Sequence, residues 1–193
     1  MRRGCKPEFV HFYSGRTPAE ADVDKIKELV RILAQYSPFP LTLHLVPVYP
    51  YELRAIGTIE DSFDMVVFRR FMVKCAESLA QQQNCLALVT GDSLGQVASQ
   101  TLHNLAAIGP DLSQPVFRPL IGLDKQQITE LAVEIGTYAT SIQPYRDCCS
   151  IRSPHPKLNA TTQELRERSE SMDLAEAVSE AVANSEKMVS SEV

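Results

Sequence analysis

The sequence predicts an α/β chain: a mainly parallel, Rossmann-like sheet with helices on both faces. Three observations carry that prediction. Short apolar runs alternate with stretches of helical periodicity from residue 8 to about residue 136, the pattern of strands joined by crossover helices. One run, residues 85–88 (CLAL), passes through Val89 and Thr90 into Gly91-Asp92-Ser93 and then at once into an amphipathic pattern on Val97, Thr101, Leu102 and Leu105. Finally, 44% of the 193 residues are hydrophobic, yet no apolar run approaches the roughly 20 residues of a membrane span.

Taken in order, residues 8–13 (EFVHFY) read as a strand. Thr17-Pro18-Ala19-Glu20 then predicts a helix start, with Thr17 as cap, Pro18 at the first helical position and Glu20 completing a capping box. Ala21, Ile26, Leu29, Val30 and Leu33 give that helix its apolar side, and Ser37-Pro38 ends it. Residues 41–49 (LTLHLVPVY) form the next strand. A short segment at 51–56 leads to a long helix over 61–82. A strand at 85–90 and a helix over 95–107 follow, then a short strand at 115–120. Asp124 can cap a further helix, with Gln127 at its capping-box position and Ile128, Leu131, Ala132 and Ile135 at helical spacing; Gly136 closes it. Residues 161–190 are rich in Glu, Ser and Ala. Leu165, Met172, Leu174, Val178, Ala181 and Val182 fall partly at helical spacing, which predicts one or two exposed helices frayed at the end. The expected organisation is a domain over 1–160 and an acidic helical tail over 161–193.

Charge and cysteine use narrow the function. The net charge is −5, and residues 161–193 hold all of it, with 8 acidic and 3 basic side chains against 16 of each in the rest. A body without basic surplus is not one that grips nucleic acid unaided. The five cysteines (Cys5, Cys75, Cys85, Cys148, Cys149) are odd in number and sparse, which argues for a reducing compartment and a cytoplasmic location. The N-terminus lacks the apolar stretch of a signal peptide.

Several features could carry chemistry. A strand that turns through Gly91 and Ser93 into a helix leaves backbone N–H groups unpaired at the helix start, which suits a phosphate or nucleotide. A glycine after a buried strand is also ordinary turn chemistry, and spacing alone leaves both readings open. Arg69 and Arg70, beside Val66, Phe68, Phe71, Met72 and Cys75, can fork onto phosphate, although spacing favours a solvated helix face. Cys148, in the polar loop Tyr145-Arg146-Asp147-Cys148-Cys149-Ser150, is either a reactive thiolate beside a cation or an inert buried thiol. Zinc binding by Cys148, Cys149 and His155 matches no usual ligand spacing. His11, His44 and His103 stand alone and read as structural or surface residues.

As a set, these residues resemble a known family. ALVTGDSLGQVASQT, with FRRFM before it, RPLIGLDKQQI and PYRDCCS after it and EFVHFYS near the start, is similar to the nucleotide-binding domain of the tRNA 4-thiouridine synthase family (ThiI), over residues 1–160. RPLIGLDKQQI is shared more widely among PP-loop ATP pyrophosphatases. The resemblance implies ATP, accompanied by Mg2+, with contacts at Phe12, Tyr13, Arg69, Gly91 and Gln100. It implies activation of a tRNA uridine by adenylation, then replacement of the activated oxygen by persulfide sulfur from a cysteine desulfurase or another donor. Cys148 matches the cysteine that forms a disulfide with the sulfur carrier after transfer; Cys149 is its neighbour, and Arg146 can lower its pKa. A homodimer and tRNA as partner are implied too, and no membrane.

The sequence departs from the family in lacking the S-G-G-x-D-S PP-loop, a preceding tRNA-binding domain and a following rhodanese-like carrier. The expectation is a chain that starts past the first central strand, binds adenine nucleotide weakly and does not adenylate tRNA alone. Without that strand, the strands at 8–13 and 85–90 lose a shared neighbour, at about 1–3 kcal/mol per orphaned buried group. Either the two close up, or the natural protein is longer. Two other readings remain: another PP-loop enzyme, such as a tRNA 2-thiouridylase or a deazaguanine nitrile synthase, and a non-catalytic scaffold.

Overall fold

The computed structural model describes residues 1, 4–21, 23–145, 147–148 and 155–190. Arg146 and Cys149 lie outside the described residues. In chain order the elements are β1 (Glu8–Tyr13), α1 (Asp24–Ala34), β2 (Thr42–Pro47), α2 (Tyr49–Ala55), α3 (Asp61–Gln82) and β3 (Leu88–Val89). A 3-10 turn (Ala98–Gln100), α4 (Leu102–Ile108), β4 (Val116–Phe117), α5 (Lys125–Glu134) and α6 (Tyr138–Ser141) follow, then α7 (Thr162–Ser171), α8 (Leu174–Ala183) and β5 (Glu186–Val189). The chain divides into two compact units, one of Met1–Val48, Gln126–Cys148 and Asn184–Val193, the other of Tyr49–Lys125 and Cys149–Ala183.

The first unit is built on a three-stranded sheet in the order β1-β2-β5. β1 runs parallel to β2, with Glu8 opposite Thr42 and Tyr13 opposite Pro47. All six residues of β2 are buried, Thr42 and His44 included, as expected of a strand covered on both faces. α1 packs Val30, Ile26 and Leu33 with Leu41, Leu43, Leu45 and Tyr13. Each fully buried leucine there contributes about 1.5–3 kcal/mol. His44 is tolerated inside because its Nε2 lies 2.7 Å from the Glu8 carboxylate.

Two expectations are corrected in this unit. α1 begins at Asp24, not at Thr17: the Glu20 carboxylate accepts the Arg16 N–H, and the residues from Thr17 make one isolated turn through Glu20 N to Thr17 O and Ala21 N to Pro18 O. The chain end is not frayed helix. β5 lies antiparallel on β2, with Thr42 opposite Val189, and Ser190 donates its N–H to Leu41 O while its Oγ accepts from Leu41 N.

The second unit is organised by α3, whose 22 residues bury Phe63, Val66, Phe68, Phe71, Cys75 and Leu79 among others. Tyr51 packs its ring on Phe68 and Phe71 (centroids 5.1 and 5.2 Å away) and donates its hydroxyl proton to Asp64. The tail helices are not exposed as expected. Leu165, Met172, Leu174, Ala177, Ala181 and Val182 are buried, and both helices contact α3. Alanine on the inward face lets α8 approach closely, so a stripe too weak to read as a core still makes one. α7 is opened by a full capping box between Thr161 and Glu164. The helix expected over 95–107 is interrupted: Thr101 is extended and caps α4 by accepting from Asn104 N. Asn104, fully buried, donates to Ala98 O and Lys157 O and accepts from Ala160 N. β3 and β4 pair in parallel through Leu88–Val116 and Val89–Phe117. No helix among the described residues is long and apolar enough to cross a membrane.

Candidate functional site

The turn after β3 is held by a buried carboxylate. Asp92 is 1% exposed, and three groups converge on it. Arg69, from the middle of α3, donates to one carboxylate oxygen. Thr90 Oγ1 donates to the other at 2.6 Å, and Arg118 Nε, just beyond β4, donates to the same oxygen at 3.1 Å. A buried anion is tolerable only when paired and hydrogen-bonded, and Asp92 is both. Both arginine side chains keep about a fifth of their surface in solvent. Two cations on one carboxylate leave a surplus of one positive charge, presented outward.

The following residues lock the turn. Ser93 donates its Oγ–H to Leu123 O at 2.7 Å and its N–H to Gln100 Oε1 at 3.3 Å. Leu94 N donates to Ile121 O, and Gly95 N to Gln100 O. Gly95 sits at φ +75°, a conformation few other residues adopt. Gly91 is different. Its φ lies outside the left-handed region, and a Cβ built on it would meet nothing within 4 Å. Neither backbone strain nor crowding demands glycine there, which leaves room for a group to approach the backbone.

Arg69, on α3, thus meets the locked turn that carries Gly91 and Gln100, all within the second unit. Sequence reasoning missed its organiser: Asp92 and Arg118 lay inside quoted motifs, but only their pairing reveals the role. Arg70, offered beside Arg69, is 5% exposed and bound to Asp111, so it is a structural residue and not a solvated one. Asp111 also receives Arg166, and these two guanidinium groups hold its carboxyl well below the usual carboxylate range.

Phe12, Tyr13 and Cys148 belong to the first unit. Phe12 and Tyr13 end β1; the Tyr13 side chain is 2% exposed and part of the core, so it is not placed to meet a ligand. Its carbonyl accepts from Val48 N at 3.0 Å. Next to it, Ser14 Oγ is a buried hydroxyl without a hydrogen-bond partner. Cys148 is 5% exposed, its thiol 3.5 Å from Asp147 Oδ1. Burial pushes the pKa of His11 down from 6.5 to about 4 against the opposing pull of Asp147. The imidazole is therefore neutral at pH 7, and its Nε2 lies 2.7 Å from Tyr145 Oη.

The family model described as thiamine biosynthesis protein (ThiI) matches residues 1–174. The chain belongs to the ThiI family. Among solved structures it is similar to a 4-thiouridine synthetase in complex with RNA and bound ATP, at 36% identity and a TM-score of 0.86, over 94% of this chain and 48% of that one. The chain spans about half the length of that relative. Within the second unit of this ThiI chain, the residues suit an anionic ligand: an outward cationic surplus at Arg69 and Arg118 and open space at Gly91. Among the described residues no group of three or more His, Cys, Asp or Glu is placed to hold a metal ion.

Proposed function

We propose that the chain is the nucleotide-binding part of an ATP-dependent tRNA sulfurtransferase that makes 4-thiouridine at tRNA position 8. One observation carries this reading: 94% of the chain matches, at 36% identity, a 4-thiouridine synthetase whose structure holds both RNA and ATP. On this reading the backbone at Phe12 and Tyr13 receives the adenine. The Arg69 guanidinium forks onto phosphate, with Asp92 holding it in place. Gly91 lets a phosphate approach the backbone, and Gln100 fixes the turn through Ser93 N. Mg2+ travels on the phosphate oxygens.

The chemistry follows from charge. The uridine carbonyl oxygen attacks the α-phosphorus of ATP, pyrophosphate leaves, and the oxygen becomes part of a good leaving group. The terminal sulfur of a carrier persulfide then adds to the base carbon and adenylate departs. Cys148 thiolate attacks the carrier sulfur, so that the bond between the two persulfide sulfurs breaks. Its electron pair goes to the sulfur now on the base, and Cys148 is left in a disulfide with the carrier, to be reduced by a dithiol. A cytoplasmic setting, a cysteine desulfurase as donor and a homodimer belong to the same reading.

The test is to express, in cells lacking 4-thiouridine, a protein in which this chain is joined to a PP-loop and tRNA-binding segment, and to run their tRNA on a mercury gel. Retarded, thiolated tRNA is the expected outcome with the wild type, and none with Arg69→Ala. Unretarded tRNA from the wild type, with no ATP signal in saturation-transfer NMR, would instead leave a scaffold.

A further inference from the structure

The stretch that ends at Cys148 is pinned to its own unit by a set of contacts that the proposed chemistry does not yet use. Lys25, on α1, donates from Nζ to Ser141 O at 2.7 Å and to Gln143 O at 2.8 Å, closing the carbonyl end of α6. The same ammonium sits 5.5 Å from the centre of the Tyr145 ring. Tyr145 Oη lies 2.7 Å from His11 Nε2, and the two rings are 5.7 Å apart. His11 immediately precedes Phe12 and Tyr13 in β1. The strand end assigned to adenine and the stretch assigned to sulfur are therefore tied through one side-chain pair, with α1 supplying a second tie.

We propose that His11, Tyr145 and Lys25 are positioning residues: together they latch the Cys148 stretch onto the end of β1, and sulfur transfer by Cys148 takes place from the latched arrangement. This rests on the role given to Cys148 above. None of the three touches a reacting atom; they act through the loop. The mechanism is orientation. A thiol held in one place beside the activated base reacts faster than one sampling many positions, and a displacement of about 1 Å can cost a hundredfold. The low burial-shifted pKa of His11 supports the arrangement, because the Nε2 of a neutral imidazole can either accept from or donate to the phenol, according to its tautomer, without burying a charge.

The test uses this chain joined to the PP-loop and tRNA-binding segment, with Cys149→Ser, so that alkylation by iodoacetamide can be followed at Cys148 by peptide mass spectrometry. Tyr145→Phe removes one hydrogen bond and keeps the ring. The expected result is Cys148 alkylation faster by about fivefold, the opening expected from one lost hydrogen bond. ATP saturation-transfer signals stay within about twofold, and single-turnover thiolation of tRNA falls by about tenfold. Lys25→Met, a surface change that leaves no buried group orphaned, moves all three readings the same way. His11→Gln, which can still pair with the hydroxyl, recovers most of the loss seen in His11→Phe. Unchanged alkylation in both Tyr145→Phe and Lys25→Met, or faster alkylation with undiminished thiolation, overturns the latch. Full thiolation by Cys148→Ser overturns the sulfur-transfer role itself, and the alkylation rates then still report whether the contacts hold the loop.

Discussion

Arg69 reaches from the middle of the long helix α3 to the carboxylate of Asp92, a side chain with almost no solvent exposure at the turn after β3. That pair fixes an arginine that would otherwise be a mobile surface group. Arg118 and Thr90 complete the hold on Asp92. The turn is thus built around a buried anion that orients two cations toward solvent, the arrangement the proposed phosphate contact would use.

Removing the anion is expected to be worse for stability than removing a cation. Asp92→Ala leaves two guanidinium groups facing each other without their counter-ion. Loss of one partner of a buried pair costs about 3–5 kcal/mol, and the partial exposure of both arginines brings this to about 2–4 kcal/mol. Arg69→Met leaves Asp92 with Arg118 and Thr90, so its cost is expected to be about 1–2 kcal/mol. Urea unfolding of the two variants checks the order.

Glycine substitutions separate fold from binding. Gly91→Ala adds a methyl into open space at an ordinary φ, so stability is expected to stay within about 0.5 kcal/mol. Gly95→Ala forces a side chain to φ +75° and is expected to cost about 1 kcal/mol. The ATP signal in saturation-transfer NMR should fall in Gly91→Ala, because the methyl takes the space left for phosphate. A Gly91→Ala protein that unfolds early, or one that binds ATP undiminished, would refute the role assigned to that position.

Acid should weaken the first unit through His11. Its folded pKa of about 4 lies below the value of 6.5 it has when unfolded. Above pH 6.5 both states are neutral there and the contribution to stability is complete. As pH falls from 6.5 to 4 the unfolded chain takes up a proton that the folded one refuses, and stability drops. The loss levels off below pH 4 at no more than about 3 kcal/mol. Denaturation followed at pH 7 and pH 5 should show this difference shrink in His11→Gln.

Much of this architecture is legible in the residues. EFVHFY is a strand with the expected bounds, and the helix over 61–82 is met at both ends, because long periodic segments and bounded apolar runs leave few alternatives. Local cues misled where two partners compete for one group. Thr17 looked like a cap, but Glu20 spends its carboxylate on Arg16 N; Thr101 looked like mid-helix, but its hydroxyl starts a new helix and donates to Leu158 O. The tail read as solvated because its charge is conspicuous, whereas Leu165, Ala177 and Ala181 disappear entirely into the second unit. At the site, Gly91 and Arg69 were visible as residue types. The convergence on Asp92 was not, since a buried carboxylate and a surface one are spelled alike.

Asn104 shows how far the tail is integrated. Asn104→Leu orphans Ala160 N and the carbonyls of Ala98 and Lys157, and is expected to destabilise the chain by about 3 kcal/mol. A surface Asn→Leu control elsewhere should stay within about 0.5 kcal/mol. Limited proteolysis is expected to cut the Asn104→Leu protein first near residues 157–161, where those bonds are lost.

The most direct test of the turn proposed to bind ATP is an NMR titration of 15N-labelled protein with MgATP, following the Gly91 and Ser93 amides and the Arg69 Nε–H. The account predicts that all three signals shift together and saturably, and that inorganic sulfate competes. Saturable shifts elsewhere in the chain with these three unmoved, or no shifts at all, would contradict it.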